Sequence, residues 1–431
     1  MNDLMVDQIP NWEKFKIKDV VNFIVDNRGK NPPRYSDDGI PVIDNFQITG
    51  KRSVDLNESK RFIDEEIFKS FIRKHIQKND LLITLVGNGY GNVALAPEEL
   101  SVIIQNTIGL RCKSNCLNEY LFYFLSLNKR LIEDLDRGAA QPSVKVSDLL
   151  NIKLLIPELD YQNIIVSILR TYDDLIEING RRIQLLEQMA QLLYREWFVE
   201  FRFPGYEKCK FIDSELGKIP EGWRLATLND TLSALESGRR PAGGIDDKEN
   251  GVVSVGAENI IGLGKYDYSA DKFVSEDFYN SMRSGHVNSG DVLLYKDGAQ
   301  IGRKSMFRDE FPHKICSINE HVFILRTNDL LTQNYLYFWL DLPNITDMII
   351  NSNSNAAQPG INQQDIFRLP ILIPDPNTLI EFEKLVDPMI ELLFNLAKSN
   401  NNLNVTRDML LPKLMSGEID VSKLDIKGLE N

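Results

Sequence analysis

Ala139-Ala-Gln-Pro142 recurs letter for letter as Ala356-Ala-Gln-Pro359, and each copy precedes an aspartate, Asp148 and Asp365. On either side of these anchors the two halves of the chain match in order, at an offset that starts near 211 residues and grows to about 218. Trp12 answers to Trp223, Gly39-Ile-Pro-Val-Ile43 to Gly251-Val-Val-Ser-Val255, and Asn79-Asp-Leu-Leu-Ile-Thr84 to Gly290-Asp-Val-Leu-Leu-Tyr295. Glu119-Tyr-Leu-Phe-Tyr-Phe124 parallels Asn334-Tyr-Leu-Tyr-Phe-Trp339, and Leu154-Leu-Ile-Pro157 parallels Ile371-Leu-Ile-Pro374. One such match could be chance, but an ordered series means one unit written twice. Each copy predicts a β-rich globule of about 150 residues, short strands broken by Gly, Asn and Asp turns, followed by a long helix.

The helices carry the architecture. After Pro157, Ile165, Ile168, Tyr172, Leu175, Ile183, Leu186, Met189, Leu193 and Trp197 keep a three-four spacing on one stripe. The second run opens with Asp375 as N-cap and Pro376 at the first helical position, then continues through Phe382, Leu385, Met389, Leu393, Leu396, Leu403, Leu410 and Leu414. A narrow apolar seam needs a partner, and an antiparallel pair is expected. At 1.5 Å per residue, about 43 residues would span roughly 65 Å, a rod with a globule at each end. Asn179 and Asn400 fall on the seam, where a polar residue fixes register, although Asn179-Gly180 and Ser399-Asn-Asn-Asn402 could instead be kinks or loops. Pro388 threatens a kink in the second helix.

The expected class is therefore α+β, with two β-rich globular domains separated by two long antiparallel coiled-coil helices in a pseudo-two-fold internal repeat. The boundaries are 1–156 for the first β-rich domain, 157–203 for the central long spacer helix, 204–373 for a linker and the second β-rich domain, 374–417 for the C-terminal long spacer helix and 418–431 for a tail.

The chain has 431 residues, 43% hydrophobic and 26% charged, which is globular composition for two or three domains rather than a disordered scaffold. No apolar run reaches the roughly 18 to 20 residues of a membrane span, and Met1 to Pro10 lacks the build of a signal peptide, so a cytoplasmic location is expected. Cys112, Cys116, Cys209 and Cys316 are too sparse for a disulfide framework and are expected as buried thiols. The net charge of −13 argues against nucleic-acid binding if taken alone. It is uneven, however: residues 1–156 carry 21 basic and 21 acidic side chains, against 6 and 10 for residues 374–431. Contact with DNA would have to come from local Lys/Arg clusters, with a partner supplying further phosphate attraction.

Tyr172-Asp-Asp-Leu-Ile-Glu-Ile-Asn179, Leu186-Glu-Gln-Met189 and Leu193-Tyr-Arg-Glu-Trp-Phe-Val199 resemble the central helix of type I restriction-modification specificity subunits. Phe201-Arg-Phe-Pro-Gly205, Asp213-Ser-Glu-Leu-Gly217 and Ile219-Pro-Glu-Gly-Trp223 resemble that family's lead-in to its second recognition domain, and Leu411-Pro-Lys-Leu-Met-Ser-Gly-Glu-Ile419 its closing helix. The resemblance implies a non-catalytic subunit that binds double-stranded DNA and joins two methyltransferase subunits, with or without two restriction subunits. S-adenosylmethionine would sit on the methyltransferase, which would extrude and methylate an adenine, and ATP and Mg on any motor-nuclease subunit. No cofactor or metal is expected in this chain.

Major-groove reading needs Arg, Lys, Asn or Gln at base edges, with phosphate contacts fixing register. The polar loops offer Arg28, Lys30, Arg34, Asn45, Gln47, Lys51, Asn88 and Tyr90 in the first domain. In the second they offer Arg239, Arg240, Asn259, Lys296, Gln300, Arg303 and Lys304. For any one of them a solvated surface role competes. Gln141 and Gln358, each beside a proline, fit a rigid structural turn better than a DNA contact. Tyr194, Trp197 and Phe198 form either a partner-binding patch or a packing face on the adjacent domain.

Other chemistry is incomplete. Asn31-Pro-Pro33 approaches the amino-methyltransferase motif, but Arg34 stands where an aromatic ring should stack. Gly87-Asn-Gly-Tyr-Gly91 and its counterpart Asp297-Gly-Ala-Gln-Ile-Gly302 lack a following helix and fit a turn better than a phosphate loop. Asp375, Glu381, Glu383 and Lys384 are off nuclease spacing, and His313, Cys316 and His321 lack a fourth zinc ligand. The rivals to DNA reading are a self-contained DNA methyltransferase or nuclease fusion, for which labelled S-adenosylmethionine is the assay, and a non-DNA-binding scaffold, which a gel shift would separate. If the rod measures the gap in a bipartite site, inserting four residues near Gly180 should lengthen it by about 6 Å and widen the gap by roughly one or two base pairs. Mapping methylated sites in the insertion mutant checks this, and an unchanged gap refutes it.

Overall fold

The structure, a computed structural model, describes residues 12–29, 31–136, 142–215, 217–242, 251–298, 300–352 and 360–422. Its contacts divide into two units: residues 1–175 with 403–431, and residues 176–402. Each long helix thus contributes one portion to each unit, and neither is a separate domain.

In the first unit the strands are β1 Glu13–Lys16, β2 Val21–Val25, β3 Ile40–Ile43, β4 Phe62–Ile63, β5 Leu81–Thr84, β6 Val93–Leu95, β7 Val102–Ile103, β8 Thr107–Cys112 and β9 Lys153–Ile156. They form an antiparallel β1-β9 pair, a four-stranded sheet ordered β2-β8-β5-β6 and a three-stranded sheet β4-β3-β7, in which β3 and β7 run parallel.

The second unit adds a hairpin, β10 Phe211–Ser214 with β11 Gly217–Pro220, and then repeats the plan. Its strands are β12 Arg224–Thr227, β13 Leu232–Ser237, β14 Val252–Val255, β15 Phe273–Val274, β16 Asp291–Tyr295, β17 Lys304–Phe307, β18 Cys316–Ile318, β19 Val322–Thr327 and β20 Pro370–Ile373. They order as β12-β20, β13-β19-β16-β17 and β15-β14-β18, again with one parallel pair, β14 with β18. The repeat expected from sequence is present strand for strand.

The central strands β5 and β16 are buried on both faces except at Tyr295, which is why they read as continuous apolar runs rather than alternating ones. The aromatic runs after β8 and β19 are helices, Asn118–Leu127 and Gln333–Trp339. Each donates a tyrosine hydroxyl across to the closing strand: Tyr120 Oη to the Leu155 carbonyl at 3.0 Å, and Tyr335 Oη to the Leu372 carbonyl at 2.7 Å. A buried phenol with a hydrogen-bond partner keeps its apolar payload without a desolvation loss.

The first long helix runs Leu159–Phe198 and the second Pro376–Met415. Asp375 caps the second as expected, accepting from the Asn377 and Thr378 amides at 3.0 and 3.2 Å. Helix continues through Asn179-Gly180, Pro388 and Ser399 to Asn402, so the loop alternatives do not hold. In the second unit Phe198 meets Phe382 with ring centroids 4.8 Å apart, while Asn400 Nδ2 donates to the Ile176 carbonyl at 3.1 Å, which makes the pairing there antiparallel. In the first unit Asp173 pairs with Arg407 at 2.7 Å. The seam departs from expectation at Leu175, Met189 and Leu385, which are exposed, whereas Leu379, Val386, Ile390 and Phe394 are buried. Wide apolar coverage had blurred which of two adjacent faces turns inward.

All four cysteines are free thiols; Cys116 and Cys316 are buried, Cys112 and Cys209 only partly. Among the described residues no helix is long and apolar enough to cross a membrane.

Candidate nucleic-acid interface

In both units the strand that opens the three-stranded sheet, β3 or β14, leads into a one-turn 3₁₀ segment, Asn45–Gln47 or Ala257–Asn259. Its last residue is a buried amide. Gln47 accepts from the Asp44 amide at 2.9 Å and donates to the Asp55 carbonyl at 2.9 Å and Ser59 Oγ at 3.1 Å. Asn259 accepts from the Gly256 amide at 3.0 Å and donates to the Asp267 carbonyl at 3.1 Å. At 3% and 1% exposure, both are buried and hydrogen-bonded inside the protein, so the base-reading role expected for them is corrected to a structural one. The same amides hold the neighbouring side chain at the turn's tip out in solvent.

Three loops of the first unit meet near this turn. Asn45 Nδ2 donates at 2.9 Å to the carbonyl of Asn88, in the turn between β5 and β6. Arg61 engages Asp44, lies 4.8 Å from the Tyr35 ring centroid and donates to Tyr35 Oη at 3.0 Å. The Asp44 carboxylate raises the Arg61 guanidinium pKa further, keeping its charge fixed. Phe46 is exposed at the tip, with Lys60 Nζ 5.1 Å from its ring centroid. Lys51 and Asn88 are exposed, and Tyr90 is half-buried against the core.

Two arginines expected as readers are already partnered. Arg28 makes a bidentate pair with Asp26, at 2.9 and 2.8 Å, and this pairing lowers the Asp26 pKa. Arg34 is exposed, and Asp64 first, then Glu66, raise its pKa. Lys30, Gln141 and Gln358 lie outside the described residues.

In the second unit Arg240 reaches Glu320 at 2.7 Å and His321 Nε2 at 3.2 Å, while His321 Nδ1 is 2.7 Å from Asp297. The loops at 239–240, 297–303 and 320–321 therefore converge, with Arg239, Gln300 and Arg303 exposed on them. Lys296 is partly buried, donates to Ser237 Oγ at 3.1 Å and lies 4.7 Å from the Phe323 ring centroid; burial lowers its pKa. Lys304 is corrected: its ammonium is paired with Asp341, lies against Tyr337 and is only 10% exposed.

Tyr194, Trp197 and Phe198 are also corrected. They are buried in the second unit's core among Trp223, Tyr335 and Phe382, so they are packing residues and not a partner patch. Exposed apolar residues in the second-unit part of that helix include Ile178, Leu185, Met189 and Leu192, followed by Val199 just past its end, at near-heptad spacing. Sequence reasoning missed this stripe, along with Tyr35, Phe46, Lys60 and Arg61. The available signal for those four was aromatics interleaved with cations in a turn-rich segment.

The remaining motifs are structural. Gly87, Gly89 and Gly91 all take positive φ, and the Gly91 amide donates to the Thr84 carbonyl at 2.8 Å, closing a turn between strands. Its counterpart closes through the Gly302 amide to the Tyr295 carbonyl at 3.0 Å. His313 faces Asp271 at 3.0 Å, and among the described residues no group of three His, Cys, Asp or Glu could hold a metal ion.

The two units repeat one strand plan, each with a portion of both long helices, and carry unlike polar loops on it. Residues 10–188 match the family model of the Type I restriction modification DNA specificity domain. The chain is similar to the Type I restriction enzyme MjaIX specificity subunit of Methanocaldococcus jannaschii, 26% identical over 427 residues that cover 97% of this chain and 96% of that one. The HindI specificity subunit of Haemophilus influenzae is 21% identical over 424 residues, covering 80% and 88% respectively. A type I S subunit from M. genitalium shares the fold, with a TM-score of 0.57 at 15% identity over 95% of this chain and 98% of that one. The resemblance to type I specificity subunits drawn from the sequence is borne out.

Proposed function

We propose that this chain is the non-catalytic, sequence-reading subunit of a type I restriction-modification complex, and that its two units read two unlike half-sites of an asymmetric bipartite DNA site. The observation that carries this reading is the repeated scaffold bearing different loop chemistry: aromatic and basic residues in the first unit, and a mixed acidic, basic and histidine set in the second. A single reader would need one copy, and two identical half-sites would need two identical loop sets.

Two methyltransferase subunits, and two restriction subunits where a nuclease is present, join it and carry S-adenosylmethionine, ATP and Mg. The stripe Ile178, Leu185, Met189, Leu192 and Val199 is the face offered to the methyltransferase, because contiguous exposed apolar side chains are costly on a surface that stays bare. The acidic net charge fits this division of labour, with nonspecific phosphate attraction supplied by the partner.

Methylome sequencing of a host expressing this chain with a cognate methyltransferase tests the proposal. A two-part, non-palindromic methylated motif is the expected result; methylation at one contiguous or palindromic site would reject it. Incubating the purified chain alone with labelled S-adenosylmethionine should transfer no label to DNA.

A further inference from the structure

The duplicated 3₁₀ turn carries information at its tip. Strand register aligns the two copies residue by residue: Ile40 pairs with Ile63 as Val252 pairs with Val274, and the Val42 amide donates to the Arg61 carbonyl as the Ser254 amide donates to that of Lys272. Gln47 then corresponds to Asn259, two buried amides that each accept from the backbone amide three residues back and donate to the carbonyl eight residues on, and the preceding residue corresponds as Phe46 to Glu258. Downstream the match persists, since Asp55 accepts from the Asn57 amide at 2.9 Å and Asp267 from the Ser269 amide at 2.9 Å.

The scaffold is therefore constant while the tip changes from an aromatic ring to a carboxylate. Both tips are solvent-facing, Phe46 at 44% and the Glu258 side chain at 52% exposure, and each is accompanied by a lysine, Lys60 or Lys272. The Glu258 carboxylate bonds its own backbone amide and, through Oε1, Lys272 Nζ at 2.9 Å, and both hold it ionised as an acceptor. A rigid turn presenting one variable side chain beside a cation is suited to reading a single base, with the lysine drawing in the adjacent phosphate.

We propose that the tip residue is a specificity determinant in each half-site: Phe46 packs on a thymine methyl group, and Glu258 accepts a hydrogen bond from a cytosine N4 amine. These are the base features that an apolar ring and a carboxylate can select in the major groove. The inference rests on the two-reader proposal and extends it to named positions.

The test uses the full chain in complex with a methyltransferase subunit and a randomised duplex DNA library, reading base preference at every position. Phe46→Ala should lower thymine preference at one position of one half-site by about 4-fold, the worth of one buried methyl. Phe46→Leu, which keeps an apolar tip, should retain it. Wild type should bind a probe with deoxyuridine at that position as weakly as Phe46→Ala binds the thymine probe. Glu258→Ala should flatten cytosine preference in the other half-site by about 5- to 10-fold, as expected for one bond rather than a bidentate pair. Unchanged preferences, a uniform loss over all four bases, or both variants acting on the same half-site would overturn the inference while leaving the two-reader proposal standing. A wild-type complex with no sequence preference would instead reject that proposal.

Discussion

Phe382→Ala is expected to destabilise the second unit by about 3–5 kcal/mol, the range for an aromatic side chain removed from a packed core. Phe382 is fully buried and meets Tyr194, Trp197 and Phe198 with ring centroids 6.1, 5.9 and 4.8 Å away, mostly edge-on. These contacts join the two long helices inside the second unit, and Phe198 extends them to Tyr335 at 4.8 Å and Trp223 at 5.7 Å. Truncation leaves a cavity that the three surrounding rings cannot collapse to fill, so the loss should lie in the upper part of the range. For a unit of this size it corresponds to a fall in Tm of roughly 10 °C. Calorimetry of the variant checks it; a shift below about 2 °C would mean that the aromatic cluster is not what holds this region. Phe382→Leu should recover much of the loss, because volume rather than ring electrostatics is the main term.

The fold was legible in the sequence because repetition and periodicity survive without knowledge of contacts. Asn79-Asp-Leu-Leu-Ile-Thr84 and its counterpart announce buried strands by composition alone, and Asp375-Pro376 announces a helix start by the chemistry of its orphan amides. The interface was less legible. Gln47 and Asn259 are polar residues in turn-rich segments, which is how a base reader also looks; what removes them is a carbonyl eight residues onward, at Asp55 and Asp267, that no local pattern reveals. Lys304 was misassigned for a similar reason, since its partner Asp341 is distant in sequence. Tyr194, Trp197 and Phe198 have the spacing of a buried helix face, but their partners come from Trp223, Tyr335 and Phe382, so only the assembled core distinguishes packing from docking. Tip residues such as Phe46 stand out only after the scaffold beneath them has been identified as duplicated.

That scaffold also repeats one buried ion pair, and its two copies should not respond alike to truncation. Asp80 is buried and holds Arg111 bidentately at 2.8 and 2.7 Å while accepting from the Gln77 amide at 2.9 Å. Asp291 does the same with Arg326, at 2.7 and 2.7 Å, and with the Asn288 amide at 2.7 Å. Arg326, however, has a second carboxylate, Glu236, at 2.6 Å, whereas Arg111 also donates to the His75 carbonyl at 3.4 Å. Removing one partner of a buried pair costs about 3–5 kcal/mol, chiefly because the remaining charge is stranded. Asp80→Ala should therefore cost about that much, and Asp291→Ala measurably less, since Glu236 still neutralises Arg326. Equal losses in denaturant melts would show that the lost amide acceptor, common to both sites, dominates instead.

The pH response separates charge from hydrogen bonding further. Burial pushes the Asp291 carboxyl above the ordinary aspartate range, with Arg326 only partly offsetting it. A folded-state pKa above the unfolded one means that the group's favourable contribution is complete below the unfolded value and is lost as pH rises through the folded value. Near neutrality the ionised Asp291 thus carries a net desolvation cost beneath its hydrogen bonds. Asp291→Asn, which keeps one acceptor oxygen, should consequently lose much less stability than Asp291→Ala at neutral pH and should remove this part of the acid-side pH dependence. If the asparagine variant were as unstable as the alanine one at every pH, the negative charge itself, rather than the geometry it satisfies, would be what the core requires.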